Sequence, residues 1–156
     1  MKTRFFFMAV LIGYFSTMGL AQDQSALRKK EFNLDDNIAI GGYDPVAYFK
    51  VNKAVKGKKD LAVSNQGVIY YFSSAENKEE FKKSPAQYEP EYGGWCAYAM
   101  GARGEKVTID PETFKIINGK LYLFYNRFFN NTLKSWNKEE AKLKPAADAS
   151  WKKFYH

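Results

Sequence analysis

Two apolar runs, Phe114-Lys115-Ile116-Ile117 and Leu121-Tyr122-Leu123-Phe124-Tyr125, meet at Asn118-Gly119. A two-residue hairpin turn needs φ > 0 at its central residues, which Asn and Gly adopt at least cost, so this block is committed to an antiparallel hairpin. Directly after it, Phe129, Leu133, Trp136, Glu140 and Leu143 fall at helical spacing, with Glu140 the one polar member. Pro145 is expected to break that helix. Ala147, Trp151 and Phe154 then mark one face of a terminal helix. Strand and helix patterns in neighbouring stretches point to an α+β domain.

The earlier chain repeats the mixture. Ile38-Ala39-Ile40 is a short strand candidate, Gly41-Gly42 turns the chain, and Asp44-Pro45 reads as an N-cap followed by proline at the first helical position. Leu61-Ala62-Val63 and Val68 to Phe72 flank Asn65-Gln66-Gly67 as a second hairpin. Ser73-Ser74-Ala75-Glu76 is a capping-box pattern that opens a helix to about Lys83, stopped before Pro85. Lys106 to Ile109 is expected as a strand ended by Asp110-Pro111. Residues 22–37 are polar, without sustained periodicity, and are expected to be a loose N-terminal segment. Residues 38–156 then form one folded domain, with no internal repeat and no second composition regime.

The fold has to be held by packing. The chain of 156 residues has one cysteine, so no disulfide can form within it, and 17% of its residues are aromatic. Residues 1–21 read as a signal peptide: Lys2 and Arg4 precede the apolar run Phe5 to Phe15, and Gly19-Leu20-Ala21 supplies small residues for cleavage. The expectation is an exported protein, periplasmic or secreted, with no stable membrane insertion after cleavage. The formal charge is +7, but the basic residues are scattered apart from Lys53 to Lys59. That loop reads as a solvated segment, and no nucleic-acid partner is expected.

The one cysteine is Cys96, within Tyr92-Gly93-Gly94-Trp95-Cys96-Ala97-Tyr98-Ala99-Met100-Gly101. Gly93 and Gly94 free the backbone for φ > 0 or close approach. With Gly94 as cap, a short helix would run from Trp95 to Met100 and stop at Gly101. Cys96 would then sit in the first turn, where free N–H groups favour a thiolate. Three readings stand open for it: a small buried hydrophobe, a reactive redox thiol, or a soft-metal ligand. In the last, Met100 at i+4 would share its helix face, and a thiolate with a thioether suits Cu(I).

Other candidates carry less. His156, the only histidine, ends the chain, so Cys–His and Ser-His-Asp catalysis lack a placed base. No glycine-rich phosphate loop is present. Asn130-Asn131-Thr132 matches a glycosylation sequon. Tyr43, Tyr48, Tyr92 and Tyr98 read as core or as pocket lining.

Several motifs together resemble the exported YHS-domain proteins. They are Gly42-Tyr43-Asp44-Pro45-Val46-Ala47-Tyr48-Phe49; Tyr70-Tyr71-Phe72-Ser73-Ser74-Ala75-Glu76-Asn77 with Phe81, Pro85 and Tyr88; and Gly93-Gly94-Trp95-Cys96-Ala97. Gly119 to Leu123 and Ala146 to Trp151 also look like that family, and the similarity runs from Ile38 to Trp151. The resemblance implies a compact α+β module. In the metal-handling YHS modules, such as those attached to heavy-metal transport ATPases, two cysteines follow the Tyr-Phe pair at positions matching Ser73 and Asn77. Neither residue is a thiolate here, so that metal site is not carried over, and Ser73 is expected to serve as a helix cap. The exported branch is similar to proteins with cysteine or selenocysteine at the position of Cys96, which implies that reactivity matters there. The expectation is therefore a module without autonomous turnover, acting through the Cys96 thiol in redox sensing or in binding a soft metal such as Cu(I). The alternatives are a structural domain that binds a protein partner, with Cys96 buried and inert, and a thiol-dependent oxidoreductase relying on an external thiol.

Overall fold

Asp44 shows how the elements are set by chemistry at their ends. Its Oδ1 accepts the N–H groups of Val46 (2.9 Å) and Ala47 (3.3 Å), and Pro45 takes the first helical position, so a helix starts there. In the computed structural model, which describes residues 22–156, the chain runs as follows. Helix α1 (22–31) leads to strands β1 (Leu34–Asp35) and β2 (Ile38–Ala39), then helix α2 (Pro45–Lys50). Strands β3 (Lys58–Asn65) and β4 (Val68–Phe72) precede helices α3 (Ala75–Lys83), α4 (Pro85–Tyr88) and α5 (Ala97–Arg103). Strands β5 (Asp110–Ile117), β6 (Lys120–Phe124), β7 (Asn126–Arg127) and β8 (Asn130–Asn131) come next, and helix α6 (Thr132–Trp151) closes the chain. The result is a small single domain of the α+β class. The expected signal peptide, residues 1–21, lies outside the described residues.

Among these residues one sheet has four strands in the order β1-β2-β4-β3, with β2 parallel to β4 and the other pairs antiparallel. Both expected hairpins form. Gln66-Gly67 and Asn118-Gly119 sit at φ 47°, 81°, 50° and 72°, the left-handed pairs that a two-residue turn requires. The β5–β6 hairpin stands apart from the larger sheet, and β1–β2 and β7–β8 are two further, very short hairpins.

Strand β6 explains how the core is divided. Leu121 and Leu123 enter one buried cluster with Val46, Tyr48, Tyr70 and Phe81, whereas Tyr122 and Phe124 enter a second with Trp136, Met100 and Leu143. Side chains alternate across a strand, so a continuous apolar run serves two cores only when both faces are covered. Helix α5 is shared in the same way: Ala99 packs in the first cluster and Ala97 and Met100 in the second.

Four expectations are corrected. Residues 22–31, read as loose, form α1. Its inward positions are Arg28, Glu31 and Phe32, spaced as one helical face, and two of the three are charged, which is why no apolar period appeared. Arg28 pairs with Glu89, which also accepts from Tyr70 (2.9 Å) and Asn65 (2.9 Å), and Glu31 pairs with Lys106. Second, residues 106–109 are irregular, and β5 begins at Asp110 and passes through Pro111, with its register broken before Phe114. Proline is tolerated where the ladder is interrupted. Third, Pro145 does not break the last helix; α6 is bent at Glu139 (φ −134°, ψ 24°) and contains Pro145. Fourth, Ser74 and not Ser73 caps α3, accepting the N–H of Asn77 at 3.1 Å.

Two glycines fix the packing around α5. Gly93 has φ 60°, and a Cβ there would lie 2.7 Å from the Phe32 ring and 2.9 Å from that of Trp151. Gly101, expected as a helix stop, lies inside α5, where a Cβ would come 2.5 Å from the Leu143 carbonyl oxygen of α6. The helix ends instead at Gly104, in the left-handed conformation. Gly93→Ala is expected to cost about 2–4 kcal/mol and Gly101→Ala about 1–3 kcal/mol, as shifts of the urea unfolding midpoint.

Buried tyrosines set the alkaline limit of stability. The Tyr48 hydroxyl donates to Pro111 O (2.8 Å), Tyr70 to Glu89, and Tyr92 to Asp148 Oδ1 (2.8 Å). Burial raises all three above the ordinary phenol value, helped at Tyr70 and Tyr92 by the partner carboxylates. The folded state thus holds protons that the unfolded chain releases above pH about 10. Stability from these groups is whole below that pH and is expected to fall steadily above it, as followed by urea unfolding between about pH 8 and 11.

Candidate functional site

The Cys96 segment is positioned by three separate parts of the chain. Tyr92 (φ 56°), Gly93 (φ 60°) and Gly94 (φ 83°) form a left-handed turn, and the end of α1 docks on it. Asn33 N–H donates to Gly93 O (2.9 Å), Asn33 Nδ2 to Gly94 O (3.0 Å), and the Trp95 indole to Glu31 O (2.7 Å). Beyond the turn Cys96 is extended (φ −58°, ψ 116°) and is the residue just before α5. Its N–H donates to Val107 O at 2.9 Å, which ties the segment to the irregular stretch ahead of β5. The helix therefore starts two residues later than the glycine pair suggested.

The sulfur has no water-accessible surface. It is nevertheless in polar company: Tyr125 N–H donates to Sγ at 3.3 Å, and Thr132 Oγ1 lies 3.4 Å away. The Thr132 hydroxyl donates to Tyr125 O at 2.8 Å, so its lone pairs face the sulfur and the S–H of the neutral thiol is the donor between them. A thiolate would keep the Tyr125 N–H and take a second hydrogen bond if the Thr132 hydroxyl turned toward it. Both protonation states thus have partners on hand.

A cavity of about 310 Å³ opens beside this group. Cys96, Ala99 and Thr132 form its buried end, Tyr98, Val107 and Tyr125 its half-buried walls, and Arg103 and Asn130 its exposed edge. The pKa of the Arg103 guanidinium is raised above its ordinary value chiefly by its hydrogen bond to Glu105 (2.6 Å). The cavity is open to solvent and its lining is at least as polar as it is apolar, with Arg103, Asn130 and Thr132 beside Ala99 and Val107.

Met100 is not part of this site. It is fully buried in the second cluster with Trp136 and Leu143, while Cys96 belongs to the first, and Met100 does not line the cavity. The i, i+4 argument required both residues to be helical, and Cys96 is not. Among the described residues, no three His, Cys, Asp or Glu side chains converge as a ligand group for a metal ion.

Ser73 and Asn77 are brought together, around a carboxylate. Asp44 is fully buried, and its Oδ2 accepts Ser73 N–H (2.8 Å), the Ser73 hydroxyl (2.6 Å) and Asn77 Nδ2 (2.8 Å), while Oδ1 takes the two α2 amides. Five donors satisfy one charge and lock α2 to the start of α3. The two positions are adjacent, as ligands of one ion would be, but the residues present recognise an anion. Of the four tyrosines, Tyr48 and Tyr92 are core, Tyr43 lies under Lys56 with Nζ 4.6 Å from the ring centroid, and Tyr98 lines the Cys96 cavity.

The sequence marks Cys96 and its glycines but not Tyr125, Val107 and Arg103 as parts of one site, and it marks Thr132 only as the last residue of the sequon. Tyr125 and Thr132 touch the sulfur from 29 and 36 residues away, and no local pattern marks them. Comparison with protein-family models, with curated proteins and with solved structures returned no match.

Asp44→Asn would turn an amide N–H₂ toward donors and remove the charge. Unfolding in urea is expected to show a loss of about 2–4 kcal/mol, whereas Cys96 labelling in the native state stays as in the parent chain.

Proposed function

We propose that this chain is an exported YHS-type module, without turnover of its own, whose working group is the Cys96 thiol acting as a redox sensor. The observation that carries this is the polar company of the buried sulfur, with the Tyr125 N–H donating to it, in a residue that lines the inner end of a cavity of about 310 Å³. The motif resemblance adds the exchange of selenium for sulfur at this position. Among the described residues no helix is long and apolar enough to cross a membrane. The separation of Met100 from Cys96 leaves a soft metal with one sulfur at the site, so redox chemistry is favoured over Cu(I) binding.

The reaction needs an oxidant of the peroxide class. The thiolate attacks one peroxide oxygen, the O–O bond breaks, and the sulfur keeps one oxygen as a sulfenic acid while hydroxide leaves. With no second cysteine, recovery uses two external thiols. The first displaces the sulfenic oxygen as water and forms a mixed disulfide; the second attacks that disulfide and returns Cys96 as a thiol.

Full burial of the sulfur within the first core cluster supports a second reading, in which Cys96 only packs. Treatment of the folded protein with peroxide and a sulfenate-trapping dione, read by mass spectrometry, separates them. The sensor reading expects one adduct, on Cys96, formed under native conditions at a rate insensitive to low urea. Modification that appears only in step with global unfolding would overturn it and leave the packing role, for which Cys96→Ala should cost about 1–2 kcal/mol.

A further inference from the structure

The β7–β8 hairpin turns through Phe128 and Phe129, with φ 52° and 63°. The other three two-residue hairpin turns among the described residues place Asp36-Asn37, Gln66-Gly67 and Asn118-Gly119 in the same left-handed pair. Bulky residues are outliers there, because Cβ crowds the neighbouring carbonyl. Neither ring is repaid by burial: Phe128 is 88% and Phe129 111% exposed. Among the described residues the only other exposed large hydrophobic is Val51, at 56%. Two phenylalanines thus stand adjacent in water, on a backbone that asparagine and glycine would form more easily. Strain held at a solvent-facing tip needs a reason outside the fold.

The charge around the tip indicates what it meets. From Tyr125 to Lys138 the chain contains Arg127, Lys134 and Lys138 and no Asp or Glu. All three cations are exposed, and none has an ion-pair partner among the described residues. Arg127 precedes the phenylalanines directly, and Lys134 and Lys138 share one face of the first turns of α6, which starts where β8 ends. Apolar rings with flanking unpaired cations match a surface whose interior is hydrocarbon and whose face is negative.

We propose that this hairpin is a peripheral membrane-docking tip, with Phe128 and Phe129 entering the headgroup–acyl boundary of an anionic bilayer and Arg127, Lys134 and Lys138 against its phosphates. The contact is shallow and reversible, since two side chains enter the lipid and no helix does.

The test uses the full chain with vesicles of phosphatidylcholine alone or mixed with about one-third phosphatidylserine. Because the apolar run Phe5 to Phe15 has its own affinity for lipid, the readouts are local and comparative. Amide hydrogen exchange over residues 125–131 is expected to slow on the mixed vesicles, and less or not at all on phosphatidylcholine. The pair Phe128→Asn/Phe129→Gly carries the same leader and should fold at least as stably, because its residues suit the turn. It is expected to lose the exchange protection and about tenfold or more in sedimentable binding. Arg127→Gln/Lys134→Gln/Lys138→Gln should lose the preference for anionic vesicles and most of the sensitivity to about 0.5 M salt. Unchanged exchange at 125–131 on mixed vesicles, or equal binding by the Asn-Gly variant, would overturn the proposal. So would a dimer in solution that the same pair of substitutions abolishes, which would give the tip to a second copy of this chain.

Discussion

The burial of strand β6 on both faces is the constraint on which the rest of the structure depends. Four consecutive residues, Leu121 to Phe124, are buried, and they feed two clusters alternately. A strand used this way must be covered twice. The sheet and α2–α3 do so on one side, and α6 with Trp136 and Leu143 on the other. Helix α5 then has to fit beside the strand while touching both clusters. That requirement explains its small residues, Ala97, Ala99 and Gly101, and the close approach of Gly101 to the α6 backbone at Leu143. Cys96 stands where this shared helix begins, so its surroundings are inherited from the division of the core.

The same geometry gives the N-terminal helix its purpose. The left-handed turn at Tyr92 to Gly94 leaves the Gly93 and Gly94 carbonyls pointing out of the segment, and Asn33 satisfies both. Two ion pairs, Arg28–Glu89 and Glu31–Lys106, hold α1 in place over Phe32. Breaking one partner of a buried pair is costlier than the pair is stabilising, since the remaining charge is stranded. The pairs therefore specify where α1 docks more than they strengthen the fold. Without that docking, the turn ahead of Cys96 would lose the groups that fix it.

How far the sequence could be read follows from the range of each interaction. The Asn118-Gly119 hairpin, the Asp44-Pro45 helix start and the helix that ends at Lys83 depend on residues within four positions of one another, and all were legible. Helix α1 was not, because its inward face is Arg28, Glu31 and Phe32, and its partners Glu89 and Lys106 lie 61 and 75 residues away. The bend of α6 at Glu139 instead of Pro145 was not legible either. Next to the bend, Glu140 accepts from the Trp136 indole (2.9 Å) one turn back and from Lys115 of β5, and no proline or glycine marks the place in the sequence. At the site, the glycine pair and the cysteine could be picked out, but the inference that Met100 shares a face with Cys96 failed on two residues of helix boundary. Boundaries of that kind are set by caps and packing, which a periodicity cannot see.

The two groups that touch the Cys96 sulfur are also the two that close the hairpin carrying Phe128 and Phe129. Thr132 N–H and Oγ1–H both donate to Tyr125 O, at 3.0 and 2.8 Å, and these bonds pin the ends of β7 and β8. The sulfur receives the Tyr125 N–H and faces the Thr132 oxygen, so it rests against the base of that hairpin from inside. A well-packed interior has no slack for an added atom. Any group that enlarges the sulfur must displace Tyr125 or Thr132, or fill the cavity toward Arg103. The first loosens one of the connections that hold the Phe-Phe turn, beside the β7–β8 pairing and the Asn126–Thr113 hydrogen bond, and the second leaves it intact. A group added to the sulfur would therefore be felt at the hairpin only in the first case.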